Sequence, residues 1–515
     1  MLRLLLLLFS LSLFSLSAGD ENVDEMIAEF KRFYRGRASV AEKIEAIHVL
    51  DRSDTKEAVE ALVACFDDPD FSVRQAAVEV LGGFRNPECA QYLIDNIVAN
   101  KHVRKTAHKI VAVEALSRMG HSDAVEPITD LLREKDADLL RACCMALGRL
   151  QATGAVEGIV KLLESGEPTV QIAAIDALGE IRDPSANAAV LARLEDRKWQ
   201  VRVAVVGALA KLRQKESVQP LIDLLRTEKG RLIDDTLATL VSLTTFDLGN
   251  HPDKWQEVWD RVKDRFEVPS EADIQKAREN FEKALLRYTP GTDDFAGIPT
   301  RSKRILYVID ISGSMEDPLL DREKFVLEGR TYSAFIKIEV VKHELVRTLE
   351  NLDDTVFFNV IAFATQVKPW KKRGLVQANI LNRKAAADWV SRLQAIGGQS
   401  QSLKRQAGLS LSAGGGMGKT NTYDVLMTAL DAKAADSGYD TDLGSPVDTI
   451  FFLSDGDPTA GPITEIDRIL LEVRRVNALR KIKIHTINIG KNTRGKLMMR
   501  DLARQNDGVF LDLGE

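Results

Sequence analysis

Apolar residues along the first half of the chain recur at helical spacing, and the pattern itself repeats. One leucine stands near the end of each apolar stretch. These repeat leucines are Leu50, Leu81, Leu116, Leu147, Leu178, Leu209 and Leu240. Successive repeat leucines are 31, 35, 31, 31, 31 and 31 residues apart. A fixed period of this length predicts stacked units that bury their apolar faces against one another.

Each repeat is predicted to contain two helices with an acidic or proline-containing turn between them, as at residues 67–70. Small alanines lie on the apolar face of the second helix, which lets neighbouring helices approach closely. Arg74 and Arg202 occupy one repeat position, where we expect a structural contact with the turn of a neighbouring unit. The pattern resembles the HEAT-like repeats of bacterial scaffold proteins over residues 24–265. This resemblance implies an all-α solenoid that serves as a scaffold.

The hydrophobic pattern changes after residue 304. Residues 305–309 form a short, uninterrupted apolar run, which is typical of a strand buried on both faces. We predict further strands at 356–363, 449–453, 482–489 and 508–513. Helices are predicted between them at 339–349, 383–393, 422–432 and 466–479. Alternating strands and helices indicate a doubly wound, Rossmann-like α/β sheet, in which ligands bind at the carboxyl ends of the strands.

A chain of 515 residues is expected to hold two or three domains. The predicted boundaries place a signal peptide at residues 1–19 and the repeats at 20–265. A helix and a linker rich in proline and glycine follow at 266–303, and the α/β domain occupies 304–515. With 45% apolar and 28% charged residues, the composition is that of an ordinary globular protein. The formal net charge of −6 argues against a nucleic-acid partner.

The first residues predict export. Arg3 precedes an apolar run that ends at Leu16, and the small residues Ser17, Ala18 and Gly19 follow. This order is typical of a secretory signal peptide, and the run is shorter than the roughly 18–20 residues that span a bilayer. We therefore expect a periplasmic, cell-envelope or extracellular protein without a transmembrane segment once the signal is cleaved. An uncleaved membrane anchor is the alternative interpretation.

All cysteines lie in the first half of the chain, at Cys65, Cys89, Cys143 and Cys144. Three of them fall in apolar helical stretches, where cysteine behaves as a small buried hydrophobic residue. We predict buried thiols rather than disulfides, and no Cys/His spacing indicates a zinc site.

Candidate metal ligands follow the first strand of the α/β domain. Asp310, Ser312 and Ser314 form a D-x-S-x-S sequence, whose alternate side chains can turn to one side of a loop. Their oxygen atoms suit hard ions such as Mg²⁺. The same residues mark the metal-ion-dependent adhesion site of von Willebrand factor A domains, and this half of the chain resembles that family. The resemblance implies two further ligands, Thr420 from a second loop and Asp455 from a third.

The resemblance also implies a function. Mg²⁺, or Mn²⁺ or Ca²⁺ in its place, takes about six oxygen ligands, so five side chains leave a position for a partner's Asp or Glu carboxylate. Because the sequence offers no nearby base or nucleophile, we expect non-enzymatic, metal-dependent protein–protein binding with no catalytic residue. In the alternative interpretation the chain is a pure scaffold whose metal site is vestigial.

A rival interpretation concerns residues 413–420, which fit a relaxed P-loop pattern. A P-loop needs a buried strand directly before its glycines. The preceding residues 407–412 are a poor central strand, and Ala413 replaces the first glycine. A nucleotide-binding domain also leaves Asp310 without a role. We expect residues 397–418 instead to form an insertion that borders the metal site.

Overall fold

The computed structural model describes residues 23–286, 294–319, 335–372, 374–397, 418–431, 443 and 446–514. The signal peptide predicted at residues 1–19 lies outside these ranges. Contacts divide the chain into two compact units, Met1–Leu150 and Gln151–Glu515. The second unit therefore contains repeat helices together with the α/β domain.

The first unit is built from paired helices. They are α1 (Val23–Phe33), α2 (Val40–His48), α3 (Lys56–Leu62), α4 (Phe71–Gly83), α5 (Pro87–Leu93), α6 (Thr106–Met119), α7 (Val125–Asp130) and α8 (Ala137–Arg149). Short 3₁₀ or π turns lie at Val63–Cys65, Ile94–Val98, Ser122–Ala124 and Leu131–Arg133. Helices α2, α4, α6 and α8 pack on one another in succession. The repeat leucines here have no exposed surface, which confirms the predicted period: Leu50, Leu81, Leu116 and Leu147.

The repeats of the second unit follow the same plan. Their helices are α9 (Val156–Lys161), α10 (Pro168–Ile181), α11 (Asn187–Leu191), α12 (Trp199–Leu212), α13 (Val218–Thr227), α14 (Arg231–Thr244) and α15 (Pro252–Val262). Short 3₁₀ turns lie at Thr153–Ala155, Leu162–Glu164, Pro184–Ala186, Lys215–Ser217 and Lys263–Arg265. Helices α10, α12 and α14 pack in succession and bury Leu178, Leu209 and Leu240 completely. The approach is close, because a Cβ at Gly179 would lie 3.0 Å from the Cα of Ala208.

The recurrent arginines have a structural role, as predicted, and both also contact the turn of their own repeat. Arg74 donates to the carbonyl of Asp68 at 2.5 Å, and Arg202 donates to that of Asp196 at 2.7 Å. Each acceptor lies six residues earlier, in the turn of the same repeat. Arg202 also lies 2.9 Å from Glu228, in the turn of the next repeat. Each arginine thus satisfies a carbonyl group of its own turn, and Arg202 also makes the predicted contact with a neighbouring turn.

The described parts of the segment predicted as a helix and a linker contain a helix and a short hairpin. Helix α16 (Glu271–Leu286) packs on α14. Strands β1 (Asp294–Phe295) and β2 (Ile298–Pro299) then pair in an antiparallel hairpin. Phe295 and Ile298 are each only 1% exposed, in the core of the α/β domain. Residues 296–297 form the turn of this hairpin, and the two apolar residues that flank the turn anchor this segment to the domain.

The α/β domain confirms the predicted fold class. Its elements are β3 (Arg304–Asp310), a 3₁₀ turn (Gly313–Glu316), α17 (Lys337–Asn351), β4 (Phe357–Phe363), β5 (Val367–Pro369), β6 (Val376–Gln377), α18 (Ile380–Ser391), α19 (Thr422–Ala429), β7 (Thr449–Ser454), α20 (Ile466–Arg480), β8 (Lys483–Asn488), α21 (Thr493–Gln505) and β9 (Phe510–Asp512). In the described part of the chain the sheet order is β5-β4-β3-β7-β8-β9. Strands β3, β4, β7, β8 and β9 are parallel, whereas β5 and β6 pair antiparallel with β4. The two short edge strands were not predicted.

Both faces of the sheet are covered, which explains the uninterrupted apolar run of β3. Tyr307 and Ile309 belong to one core cluster, with Val341 of α17 and Val390 of α18. Alternate residues of β3 such as Val308 belong to the other cluster, with residues of α19, α20 and α21. This arrangement is the expected one for a central parallel strand.

The four cysteines, all in the first unit, are buried free thiols, as predicted. Burial raises the pKa of the Cys65 and Cys89 thiols to about 12. None of the helices between residues 23 and 514 that the structure describes is both long and apolar enough to cross a membrane.

Candidate functional site

The predicted ligands lie where two central strands end side by side. Asp310 is the last residue of β3 and Ser454 is the last residue of β7, with Asp455 directly after it. The two parallel strands pair with Ile309 opposite Leu453, so their carboxyl ends meet at one edge. Asp310 and Ser454 have no exposed surface, and Asp455 is 4% exposed.

The Asp310 carboxylate is held by two neutral donors. Its Oδ1 accepts the backbone N–H of Ser312 at 2.7 Å, and its Oδ2 accepts the Ser454 hydroxyl at 2.7 Å. Burial, together with the negative charge of Asp455, raises the pKa of Asp310 to about 7. The two acids thus lie close enough to repel each other, and a cation between them would relieve that repulsion.

The two serines connect the acids. The 3₁₀ turn Gly313–Glu316 brings the Ser312 hydroxyl to 3.2 Å from the Ser314 hydroxyl. Ser314 in turn donates to Oδ1 of Asp455 at 2.8 Å. Four of the five predicted residues are therefore linked by one continuous chain of hydrogen bonds.

Thr420 lies beside this chain but is held differently. The carbonyl of Gly418 accepts the N–H of Gly313 at 3.1 Å, so the Thr420 segment adjoins the serine turn. Thr420 is 5% exposed. Its N–H donates to the Thr459 hydroxyl at 2.9 Å, and its carbonyl accepts the N–H groups of Thr459 and Ala460. The hydrogen bonds described for Thr420 are thus made by its backbone, and its hydroxyl is not part of the chain that joins the other four residues.

Sequence reasoning missed two residues of the site, Ser454 and Lys337. Ser454 follows the apolar run of β7, and the strand-end argument that selected Asp455 could have found it. Lys337 begins α17, and its Nζ lies 2.7 Å from Oδ2 of Asp455 and 3.3 Å from the carbonyl of Ser314. No local pattern marks this lysine, because only the fold brings it to the end of β7.

Family profiles match two parts of the chain. The profile of HEAT repeats matches residues 33–108 and 156–240. The profile of the von Willebrand factor type A domain matches residues 330–511, which include Thr420 and Asp455 and begin after Asp310. The chain combines HEAT repeats with a von Willebrand factor type A (VWA) domain.

Relatives of known identity are distant. Human inter-alpha-trypsin inhibitor heavy chain H6 is 26% identical over 216 residues, 41% of this chain and 13% of that protein. Mouse inter alpha-trypsin inhibitor heavy chain 4 is 29% identical over 164 residues, 32% of this chain and 13% of that protein. The chain thus matches only 13% of the length of either relative. A solved von Willebrand factor type A structure from Catenulispora acidiphila has 17% identity and a TM-score of 0.27, covering 42% of this chain and 40% of that one.

The donor set of the VWA domain fits a hard divalent cation. Its groups are two buried carboxylates, two serine hydroxyls and the neighbouring Thr420, all of them oxygen donors. Among the described residues, those of this site included, no three His, Cys, Asp or Glu side chains are grouped to hold a metal ion, so the site depends on two carboxylates and on hydroxyl oxygens. Oxygen donors of this kind suit Mg²⁺, Mn²⁺ and Ca²⁺ rather than softer metals. Residues 398–417, most of the predicted insertion and most of the P-loop pattern, lie outside the described residues.

Proposed function

We propose that the VWA domain binds a protein partner through a divalent cation held by Asp310, Ser312, Ser314, Thr420 and Asp455. Mg²⁺ is the proposed ion, with Mn²⁺ and Ca²⁺ as alternatives. The observation that carries this proposal is the pair of buried carboxylates at adjoining strand ends, connected through Ser312 and Ser314. Buried carboxylates are costly unless a cation or several hydrogen bonds compensate them, so this pairing favours cation binding.

The bound cation would supply a coordination position for a carboxylate oxygen of the partner. The residues of the chain fix the geometry of the ligands before the partner arrives. Ser454 and the backbone of Ser312 hold both oxygens of Asp310, and Ser314 holds one oxygen of Asp455. An Asp or Glu side chain is the partner group that we propose, because a carboxylate both ligates the ion and offsets its charge.

We propose further roles for the chain as a whole. The HEAT repeats act as a scaffold that presents the VWA domain, and the chain works by binding rather than by catalysis. The names of the relatives, which describe heavy chains of an inhibitor, are compatible with a binding role. Export to the periplasm, cell envelope or exterior is proposed from the apolar run after Arg3.

Isothermal titration of the full chain with Mg²⁺ and Mn²⁺ tests the metal site. We expect saturable binding by the wild type and none by Asp310→Ala. Asp353→Asn is the matched control, because Asp353 precedes β4 at the opposite end of the sheet and is exposed. If the wild type gives no heat of metal binding, or a signal that does not saturate, the proposed metal site is rejected. The repeats and the domain would then act as a scaffold alone.

A second titration tests the partner chemistry. Short peptides that contain one Asp or Glu are compared with Asn- or Gln-substituted versions, in Mg²⁺ and in EDTA. We expect binding that requires both the carboxylate and the ion. If peptides bind equally well in EDTA, or if the Asn and Gln versions bind as tightly as the acidic ones, the partner is not held through a metal ion.

A further inference from the structure

Lys337 approaches the site from outside the predicted ligand set. It is the first residue of α17, and its N–H donates to the carbonyl of Asp317 at 3.1 Å. Pro318 and Ile336 form a backbone bridge next to this contact. These backbone bonds tie the start of α17 to the chain just after Ser314. The Lys337 side chain, only 12% exposed, is therefore held beside the site by the fold.

The ammonium group of Lys337 lies among oxygen atoms. Its Nζ is 2.7 Å from Oδ2 of Asp455, 3.3 Å from the carbonyl of Ser314 and 3.7 Å from the Asp317 carboxylate. The other oxygen of Asp455 accepts the Ser314 hydroxyl at 2.8 Å. Both Asp455 oxygens are thus engaged by donors of the protein. An ion that ligates Asp455 directly would therefore share these oxygens with Ser314 and come close to the Lys337 ammonium.

The two acids of the site are compensated unequally. Asp455 faces an ammonium group, whereas the hydrogen bonds described for Asp310 come from neutral donors, the Ser312 N–H and the Ser454 hydroxyl. Among the described residues, one monovalent cation therefore faces the two buried carboxylates. A divalent ion would match both charges, but it would also repel an ammonium group that remained within a few ångströms.

We propose that Lys337 is an internal cation that competes with the divalent ion for Asp455 and thereby sets the metal affinity of the site. This inference rests on the proposed metal-dependent function. An ion bound at Asp455 repels the Lys337 ammonium, so occupancy of the site is linked to the start of α17. Removing the charge of Lys337 removes the competitor, and the affinity for the ion rises.

Titration of the full chain with Mg²⁺ measures this competition. Lys337→Met keeps most of the aliphatic stem and removes the ammonium group, and we expect its dissociation constant to be at least tenfold lower than that of the wild type. Lys337→Arg keeps the charge and should stay near the wild-type value. Lys342→Met is the matched control, because Lys342 is on the same helix, is equally 12% exposed and pairs with Glu339 at 3.0 Å. This control should leave the dissociation constant unchanged.

Thermal unfolding in EDTA gives a readout without metal. Lys337→Met leaves Asp455 without its counter-charge, so its melting temperature should fall below that of the wild type. Adding Asp455→Asn to the same chain should recover most of that loss, since position 455 then carries no charge that lacks a partner. Should Lys337→Met not fold, Lys337→Gln, which keeps a neutral donor for Asp455, takes its place in the titration.

The outcomes separate this inference from the function on which it rests. Tighter Mg²⁺ binding by Lys337→Met supports the inference. If Lys337→Met binds while the wild type does not, the inference is supported and the proposed function of the wild-type chain fails. Equal or weaker binding by Lys337→Met, with a wild type that binds, overturns the inference and leaves the proposed function intact. Loss of binding in every protein tested overturns both.

Discussion

The ammonium nitrogen of Lys483, the first residue of β8, lies 2.6 Å from Oδ1 of Asp235 in the repeat helix α14. The other oxygen of this carboxylate is 3.1 Å from Arg231, which also donates to the carbonyl of Asp448 at 2.9 Å. Asp235 therefore joins a cation of the repeats to a cation of the sheet. Asp448 and Lys483 mark the starts of β7 and β8, so the repeats of this unit contact the VWA domain at the edge opposite the candidate metal site.

Asp235→Ala should destabilise the second unit strongly. It would leave two mostly buried cations, Arg231 and Lys483, without their carboxylate, and breaking a buried pair costs roughly 3–5 kcal/mol. Urea unfolding followed by tryptophan fluorescence measures the change. Asp234→Ala is the control, because Asp234 pairs with Arg301 at the surface, where such pairs contribute less than about 1 kcal/mol. Equal effects of the two substitutions would contradict a special role for Asp235.

The contribution of Asp235 should depend on pH in one direction. Burial alone would raise the pKa of Asp235, but the charges of Arg231 and Lys483 outweigh it and lower that pKa below the ordinary 3.8. A depressed pKa means that the ionised acid stabilises the fold above about pH 4 and that this stabilisation is lost as the pH falls. The difference in free energy of unfolding between wild type and Asp235→Asn should therefore shrink from pH 5 to pH 3. If this difference in free energy of unfolding grew as the pH fell, the pKa of Asp235 would not be lowered in the folded protein.

Much of the fold is encoded in local patterns. The seven repeat leucines lie on the face that each repeat buries. Their regular spacing therefore predicts the repeat helices even though no contact is known from the sequence. The run 305–309 likewise predicts a strand covered on both faces. Asp310 and Asp455 could be placed together because parallel strands end at the same edge. In each case the signal lies within a few residues or follows from one rule of sheet geometry.

The missed features depend on partners far away in sequence. Lys337 meets Asp455 only because α17 starts beside the serine turn, and Asp235 meets Lys483 only once the repeats lie against the sheet. The hairpin β1–β2 was taken for a linker because its glycine and its proline are the stronger local signals. Its Phe295 is buried because it packs edge-on against Tyr307 and Phe451, at 5.3 and 5.5 Å between ring centroids. Pairings of this kind leave no periodic trace in the sequence.

Ser454→Ala should weaken metal binding without unfolding the domain. The substitution removes the hydroxyl that donates to Oδ2 of Asp310 at 2.7 Å, and the loss of such an orienting partner typically costs 10–100-fold in metal affinity. Calorimetric titration with Mg²⁺ measures the change. Thr449→Val is the control, because Thr449 is equally buried at the other end of β7, where it donates to Asp448. Unchanged affinity in Ser454→Ala would mean that Ser312 alone orients Asp310.

Gly490→Ala should disturb the site through its backbone. Gly490 follows β8, and a Cβ at this position would overlap the carbonyl oxygen of Asp455, so the added methyl group must displace the Asp455 loop. We expect a lower melting temperature and at least a tenfold rise in the Mg²⁺ dissociation constant.

Gly508→Ala separates the loss of stability from the loss of metal affinity. Its Cβ would overlap the carbonyl oxygen of Ile484, near the start of β8 and away from the strand ends that bear Asp310 and Asp455. Gly508→Ala should lower the melting temperature but keep the affinity of its folded state for Mg²⁺. Equal loss of affinity in both variants would show that Mg²⁺ binding follows the stability of the sheet rather than the position of Asp455.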